Sequence, residues 1–164
     1  MNLKHADFIK ELVKGKIAEI IFEQMFRESG NYTILHSGYE YTLPELAQYQ
    51  HQFEEVRAVI DTIRNAPDFV LVSPAKREVY LVEVKYRTHL MPSDILEICL
   101  KTVSTWKHCW LFVATPNGFY FEPCNSIIQK NGMIGLLVNE KFVDHAVRDQ
   151  YLELLRELEP KHLT

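Results

Sequence analysis

The residues best suited to chemistry are Asp68, Glu83 and Lys85, which interrupt two apolar segments. Side chains alternate across a strand, so Glu83 and Lys85 share one face of the segment 79–87, about 7 Å apart. A hairpin would bring Asp68 beside Glu83. Adjacent carboxylates raise each other's pKa unless a cation joins them, and oxygen ligands of this kind suit Mg²⁺ or Mn²⁺. A nearby lysine could then orient a water molecule whose pKa the metal lowers.

A third carboxylate, Glu19, lies on a predicted N-terminal helix that runs from about residue 5 to 28. Residues in this segment recur at alternating steps of four and three, which is the spacing of one helix face. The stripe consists of Phe8, Leu12, Gly15, Glu19, Phe22 and Phe26. A carboxylate within this stripe is predicted to face the sheet rather than the solvent.

The elements that must position these residues form an α/β domain with a mixed central sheet flanked by helices. Pro74 and its neighbours predict a short turn that joins the second and third strands as an antiparallel hairpin. The motif Thr42-Leu43-Pro44-Glu45 predicts the start of the second helix. The predicted strands are 32–36, 67–72, 78–87, 109–114 and 119–121, with 133–138 as a further candidate, and the predicted helices are about 5–28, 42–63, 92–106 and 143–158.

Length and composition limit the classes of protein that fit. A chain of 164 residues suits one domain, 1–164. The 18 Lys and Arg against 22 Asp and Glu give a net charge of −4, which excludes the global positive field of a histone-like protein but leaves a local basic face open. Three cysteines without a C-x-x-C pair predict reduced thiols and a cytoplasmic protein. The sequence predicts no secretory leader, and no apolar run approaches the ~20 residues of a membrane span.

The arrangement Pro67-Asp68, fourteen residues, then Glu83-Val84-Lys85 resembles the signature of the PD-(D/E)xK nuclease superfamily. The resemblance covers roughly residues 8–122. It implies a restriction-endonuclease-like α-β-β-β-α-β core within a single nuclease-like domain. The helix at about 42–63 departs from that core as an insertion, which could serve as a dimer interface or a substrate lid.

The resemblance also implies a function, namely a metal-dependent nuclease that hydrolyses DNA phosphodiester bonds with Mg²⁺ (or Mn²⁺). The implied catalytic residues are Asp68, Glu83, Lys85 and Glu19, and the implied metal ligands are Asp68, Glu83, Glu19 and the backbone carbonyl of Val84. Candidate nucleic-acid contacts are Lys16, Arg87 and Lys101. No organic cofactor and no membrane partner are expected, whereas a homodimer would suit the two strands of duplex DNA.

The same residues permit other interpretations. Glu83 and Lys85 could form an ion pair on a solvated strand, and Asp68 could cap a turn after proline. Glu19 could pair with Lys16 or Lys85 without any metal. At the level of the whole protein, the alternatives are a catalytically inactive nuclease-fold module that binds DNA or protein, and an unrelated α/β domain that uses its helices for protein partners.

Overall fold

The structure is a computed structural model that describes residues 3–38, 54–75 and 77–159. The predicted capping motif 42–45 and the first part of the predicted helix 42–63 lie outside the described residues. The described helices are α1 (Leu3–Ser29), α2 (Glu54–Arg64), α3 (Pro92–Thr105), α4 (Cys124–Gln129) and α5 (His145–Leu158), and the strands are β1 (Thr33–His36), β2 (Phe69–Ser73), β3 (Glu78–Tyr86), β4 (Cys109–Thr115) and β5 (Gly118–Pro123).

The five described strands form one mixed sheet in the order β1-β2-β3-β4-β5. The pairs β1/β2, β2/β3 and β4/β5 are antiparallel, whereas β3 and β4 are parallel. The predicted hairpin between β2 and β3 is confirmed, with Phe69 opposite Val82. Because parallel neighbours need a crossover, α3 connects β3 to β4. The prediction of an α/β domain with a mixed sheet flanked by helices is therefore confirmed.

Each face of the sheet carries its own apolar core. On one face, Phe22 of α1 lies within 5.1 Å of Phe69 and 4.9 Å of Phe112, measured between ring centroids. On the other face, Ile95 of α3 belongs to a cluster with Leu111 of β4. The same cluster contains three buried, unbridged thiols, Cys99, Cys109 and Cys124. The sheet is thus covered on both faces, and a charged residue on it needs a partner.

The alternation of β3 assigns the charged residues to one of these faces. Val82, Val84 and Tyr86 belong to the core beneath α1, so Glu83 and Lys85 project from the opposite face, on the side that α3 covers. The face that α3 covers is apolar at Leu81 and along β4. It becomes polar only at the end of β3, so Glu83 and Lys85 lie at one end of the sheet.

The first half of α1 differs from the prediction. Phe8 and Leu12 are 64% and 56% exposed instead of packed against the sheet. The apolar core contacts of α1 begin only at Ile17 and Ala18. Periodicity identified the helix and one of its faces, but it does not show where along the helix the sheet ends.

The segment 133–138, predicted as a further strand, does not form a continuous strand ladder in the described structure. A single antiparallel bridge joins Leu136 to Tyr120, and the carboxylate of Glu122 accepts the N–H of Gly135 at 2.8 Å. Two backbone hydrogen bonds also hold the segment beside β5, from the Phe121 N–H to the Gly135 carbonyl and from the Leu137 N–H to the Phe119 carbonyl. The terminal helix α5 is confirmed, and the Asp144 carboxylate caps its first turn. None of the helices within the described residues is long and apolar enough to cross a membrane.

Two leucines on neighbouring strands test the burial that this fold implies. Leu71 of β2 is fully buried, whereas Leu35 of β1 is 50% exposed. We expect Leu71→Ala to lower the free energy of unfolding by about 2–5 kcal/mol, because it leaves a cavity in the core. Leu35→Ala is the matched control and should cost less than about 1 kcal/mol. Chemical denaturation measures both, and equal losses would contradict the described orientation of these strands.

Candidate active site

Three predicted side chains meet at the end of the sheet where β2 begins and β3 ends. Asp68 directly precedes β2, and the pairing of Phe69 with Val82 places it opposite Glu83. The ammonium of Lys85 donates a hydrogen bond to the Glu83 carboxylate. The charges of Glu83, Lys85 and Glu19 all act on Asp68. The structure therefore brings Asp68, Glu83 and Lys85 together, with Glu19 near enough for its charge to act on Asp68.

The β2/β3 ladder ends at Pro67, and Asp68 bonds to the β3 backbone through its side chain. The register of the hairpin, continued by two residues, places Pro67 opposite Val84. Proline has no N–H and cannot continue the ladder. The Val84 N–H donates to the Asp68 carboxylate, whose Oδ2 lies 2.8 Å away, while the Pro67 carbonyl accepts the hydroxyl of Ser37. In an antiparallel pair the N–H and C=O of one residue face the same edge, so the Val84 carbonyl also faces Asp68.

Ser37, at the end of β1, holds the Pro-Asp pair from the other side. Its hydroxyl donates to the carbonyl of Pro67 at 2.6 Å, and its backbone N–H donates to the carbonyl of Asp68 at 3.1 Å. Sequence reasoning missed this residue. Its only signal was a small polar residue directly after a predicted strand, which occurs in most proteins.

Burial and like charge disturb the ionisation of this cluster. Burial raises the pKa of Asp68, and the negative charges of Glu83 and Glu19 raise it further. The Val84 N–H and the Lys85 ammonium oppose this change, and the net pKa is about 7. Burial alone would lower the pKa of Lys85, but Glu83 and Asp68 raise it above its ordinary value. At neutral pH the site therefore holds a charged lysine and a carboxylate that is close to half protonated.

Glu19 reaches this cluster from α1, which covers the opposite face of the sheet. Its side chain is 26% exposed, and its Oε2 lies 3.0 Å from the Nζ of Lys16. Glu19 thus pairs with Lys16 within one helix, as one sequence-based interpretation allows, and its charge also acts on Asp68. Lys16 remains 44% exposed, so it is accessible at the rim of the site.

The other two candidate nucleic-acid contacts have different surroundings. The guanidinium of Arg87 bonds to the Asp94 carboxylate of α3 and to the carbonyl of Tyr86, so it ties the end of β3 to α3. Lys101 lies exposed on α3, seven residues beyond Asp94. The contacts among the described residues do not join Lys101 to the acidic cluster.

A second group of charged residues that the sequence reasoning missed flanks the site beside β1. Glu23 follows Glu19 by four residues on α1, so the two carboxylates lie on one helix face. Its Oε1 lies 2.7 Å from Arg27 Nη2 and 3.1 Å from His36 Nε2. The His36 ring also packs on Phe69, with ring centroids 5.0 Å apart. This group fixes β1 and α1 next to Asp68.

The donor set fits a small, hard cation. Among the side chains that the structure describes, no three of Asp, Glu, His and Cys form a ready-made metal cage. Mg²⁺ seldom uses such a cage, and it usually binds one or two carboxylates and keeps several waters. Asp68, Glu83 and the Val84 carbonyl meet that requirement. Burial first, and then the charges of Glu83 and Glu19, raise the pKa of Asp68.

Comparison of the sequence with protein-family models gives no match, and comparison with curated proteins gives none either.

Because the pKa of Asp68 is raised, we expect Asp68→Asn to increase the stability of the folded protein by an amount that depends on pH. The folded state binds a proton here below pH 7, whereas the unfolded chain releases it near the ordinary pKa of 3.8. The wild type therefore loses stability as pH rises from about 4 to 7, and the uncharged asparagine does not. In metal-free buffer above pH 7, Asp68→Asn should be more stable by up to about 4 kcal/mol.

The test is thermal or urea unfolding of both proteins between pH 4 and 8 in a chelating buffer. The advantage of the variant should shrink as pH falls through 7 and reach its minimum near 4. Asp149→Asn, at an exposed position, controls for the loss of one carboxylate and should show no such trend. If Asp68→Asn were less stable than the wild type at every pH, the conclusion that the charged form of Asp68 destabilises the fold would be wrong.

Proposed function

We propose that this protein is a metal-dependent nuclease of the PD-(D/E)xK type that hydrolyses DNA phosphodiester bonds. The observation that carries the proposal is the position of Asp68 opposite the Glu83–Lys85 pair at one end of the sheet. The arrangement supports the resemblance of Pro67-Asp68 and Glu83-Val84-Lys85 to the nuclease signature, because two carboxylates separated by fourteen residues share one site.

The protein would hold Mg²⁺ or Mn²⁺ through Asp68, Glu83 and the Val84 carbonyl, with Glu19 as a direct or water-mediated ligand. When bound, the metal lowers the pKa of a water molecule and stabilises charge on the phosphate. The cluster of carboxylates is suited to attract such an ion, since a divalent cation would offset the burial and the like charges that together raise the pKa of Asp68.

Lys85 would orient the attacking water and stabilise the charge that develops on the scissile phosphate. A lysine ammonium has three N–H donors, and Glu83 accepts one of them. The side chain is about one-third exposed, so its other donors can reach a substrate. The neighbouring carboxylates keep Lys85 charged throughout the neutral range, because they raise its pKa.

DNA would approach over the rim that carries Lys16. A lysine that contacts a phosphate contributes affinity without reading sequence. Arg87 would act mainly by fixing β3 to α3, since Asp94 already accepts from its guanidinium. The three unbridged cysteines favour a reducing compartment, and we place the protein in the cytoplasm.

The second candidate is a catalytically inactive module on the same fold that binds DNA or protein. The Glu83–Lys85 ion pair favours it, because it compensates the Glu83 charge without a metal. Calorimetric titration with Mn²⁺ distinguishes the two candidates. A nuclease should bind Mn²⁺ and lose that binding in Glu83→Gln, whereas an inactive module should bind no metal in either form.

Replacement of Lys85 tests the catalytic assignment. Lys85→Ala should lower the cleavage rate by about 10²–10³-fold or more, because it removes a donor aimed at developing charge. It should retain Mn²⁺ binding, since lysine is not a ligand. Cleavage of supercoiled, linear, single-stranded and branched DNA with Mg²⁺ or Mn²⁺ measures the effect, and Lys107→Ala, at an exposed position, is the control. A wild-type protein that cuts none of these substrates would defeat the enzyme proposal.

Ser37 should matter through the Pro67-Asp68 segment that it holds. Ser37→Ala removes the 2.6 Å hydrogen bond to Pro67 and should lower Mn²⁺ affinity or cleavage by about 10–100-fold, as is usual for residues that orient metal ligands. Ser37→Thr keeps a hydroxyl and should recover most of the loss. Calorimetry and cleavage assays on both variants make the measurement. If threonine were no better than alanine, the hydroxyl would have no positioning role.

A further inference from the structure

Lys14 of α1 lies at the same end of the sheet as the candidate active site. It precedes the core residue Ala18 by four positions, so it is on the side of the helix that faces the sheet. Its ammonium nitrogen lies 5.3 Å from the ring centroid of Tyr86, which is the last residue of β3. Tyr86 directly follows Lys85 of the candidate site, so a second ammonium group is present at this end of β3.

The Tyr86 ring holds this ammonium group instead of leaving it free in solvent. The side chain of Lys14 is 20% exposed, whereas that of Lys10, about one turn earlier on the same helix, is 60% exposed. Tyr86 is itself buried in the core, and an aromatic face attracts a cation. A side chain that is already ordered loses less conformational entropy when it binds a ligand. Lys14 is therefore better prepared than Lys10 to bind an anion.

The partner that Lys14 has within the described chain is weak and replaceable. The Oε1 of Glu11 lies 3.4 Å from the Lys14 ammonium nitrogen, and the Glu11 side chain is 68% exposed. Exposed ion pairs of this kind contribute little to stability. An ammonium group has three N–H donors, so a phosphate oxygen can replace the carboxylate at little cost.

We propose that Lys14 binds a backbone phosphate of DNA, one or two positions along the strand from the phosphate that is cleaved. This inference rests on the proposed function and adds the path of the substrate to it. Glu19, whose charge acts on Asp68, follows Lys14 by five residues, about 7.5 Å along the helix. Phosphates of one strand are about 3.4 Å apart along the duplex axis, so this offset corresponds to about two of them.

The contact determines on which side of the sheet the DNA backbone passes. A lysine on a phosphate contributes affinity and position but does not read the base sequence. With Lys14 as a contact, the backbone crosses the end of the sheet on the α1 side. The α3 side, which carries Lys101, is then not part of the interface.

Titration of a short fluorescent DNA duplex, followed by anisotropy, tests this path. All proteins carry Lys85→Ala and are measured with Mn²⁺, so that the duplex stays intact. Lys14→Gln should weaken binding by about tenfold. It should also lower the slope of log affinity against log salt by about 0.9 between about 50 and 200 mM salt. Lys14→Arg keeps the charge and should retain most of the affinity.

Two control variants separate a specific contact from a general loss of positive charge. Lys10→Gln removes the same charge from an equivalent pair with Asp7 on the same helix. Lys101→Gln removes it from the α3 side. Each should reduce affinity less than about twofold, since an exposed charge that touches no phosphate acts only through the screened field.

Glu11 should act in the opposite direction to Lys14. Glu11→Gln removes the carboxylate that competes with the phosphate, so it should strengthen DNA binding by about two- to fivefold. Asp7→Asn removes the same charge beside Lys10 and should give a smaller gain. Equal gains from the two variants would show that Glu11 does not compete at a defined site, contrary to the inference.

The Tyr86 ring is tested by two replacements. Tyr86→Phe keeps the ring and removes a buried hydroxyl that has no hydrogen-bond partner among the described residues, so it should fold and bind DNA as the wild type does. Tyr86→Leu removes the aromatic face and should weaken binding by about two- to fivefold. Urea unfolding of each variant shows whether a loss of affinity is due to a loss of folding.

Cleavage kinetics distinguish this inference from the proposed function. With Lys85 intact, Lys14→Gln should raise KM and leave kcat nearly unchanged, because the contact is the same before and during the reaction. Binding through Lys14 without any cleavage would defeat the nuclease proposal and leave this inference standing. A nuclease that binds DNA equally well as Lys14→Gln and as Lys10→Gln would overturn this inference alone, and a protein that binds no DNA duplex would overturn it as well.

Discussion

The hydrogen bond from the Val84 N–H to the Asp68 carboxylate is the contact on which the candidate site depends. The β2/β3 ladder ends at Pro67, and the aspartate side chain, in place of a backbone carbonyl, accepts the Val84 N–H. One oxygen of that carboxylate is thereby fixed against β3. The geometry of Asp68, and with it the spacing to Glu83, is therefore set by backbone pairing rather than by side-chain packing.

This arrangement places charge where the rest of the sheet is apolar. Carboxylates from β3 and α1 lie near Asp68 at one end of the sheet. Their charges, together with burial, raise the pKa of Asp68 and destabilise its charged form. The large cores on both faces offset this destabilisation, since rings such as Phe22 and Phe112 are fully buried. Stable proteins tolerate a local conflict of this kind mainly where it serves a function.

Much of this structure could be predicted from the sequence because its signals are local. Alternation along β3 placed Glu83 and Lys85 on one face, and the short turn before it predicted the hairpin that brings in Asp68. The helical spacing around Phe22 predicted which face of α1 meets the sheet. Each of these depends on residues within about 20 positions of one another.

Other features depend on contacts between distant segments, which the sequence pattern does not reveal. Ser37 acts on Pro67 across thirty positions, and His36 meets Glu23 only after β1 has turned back along α1. The exposure of Phe8 depends on how far the sheet extends beneath α1. The segment 133–138 has a strand-like composition, but in the described structure it forms no continuous ladder, and the Glu122 carboxylate also accepts the Gly135 N–H.

The order of pairing in the sheet also has a consequence for how the chain folds. The β2/β3 hairpin is closed by a short turn, so Asp68 and Glu83 meet early, while both are still hydrated. The parallel pairing of β3 with β4 requires the α3 crossover and is slower, because loop closure must precede it. Asp68 loses its water only when α1 and its neighbours pack around the completed sheet. The repulsion between the acids therefore acts on the late, packing stage of folding.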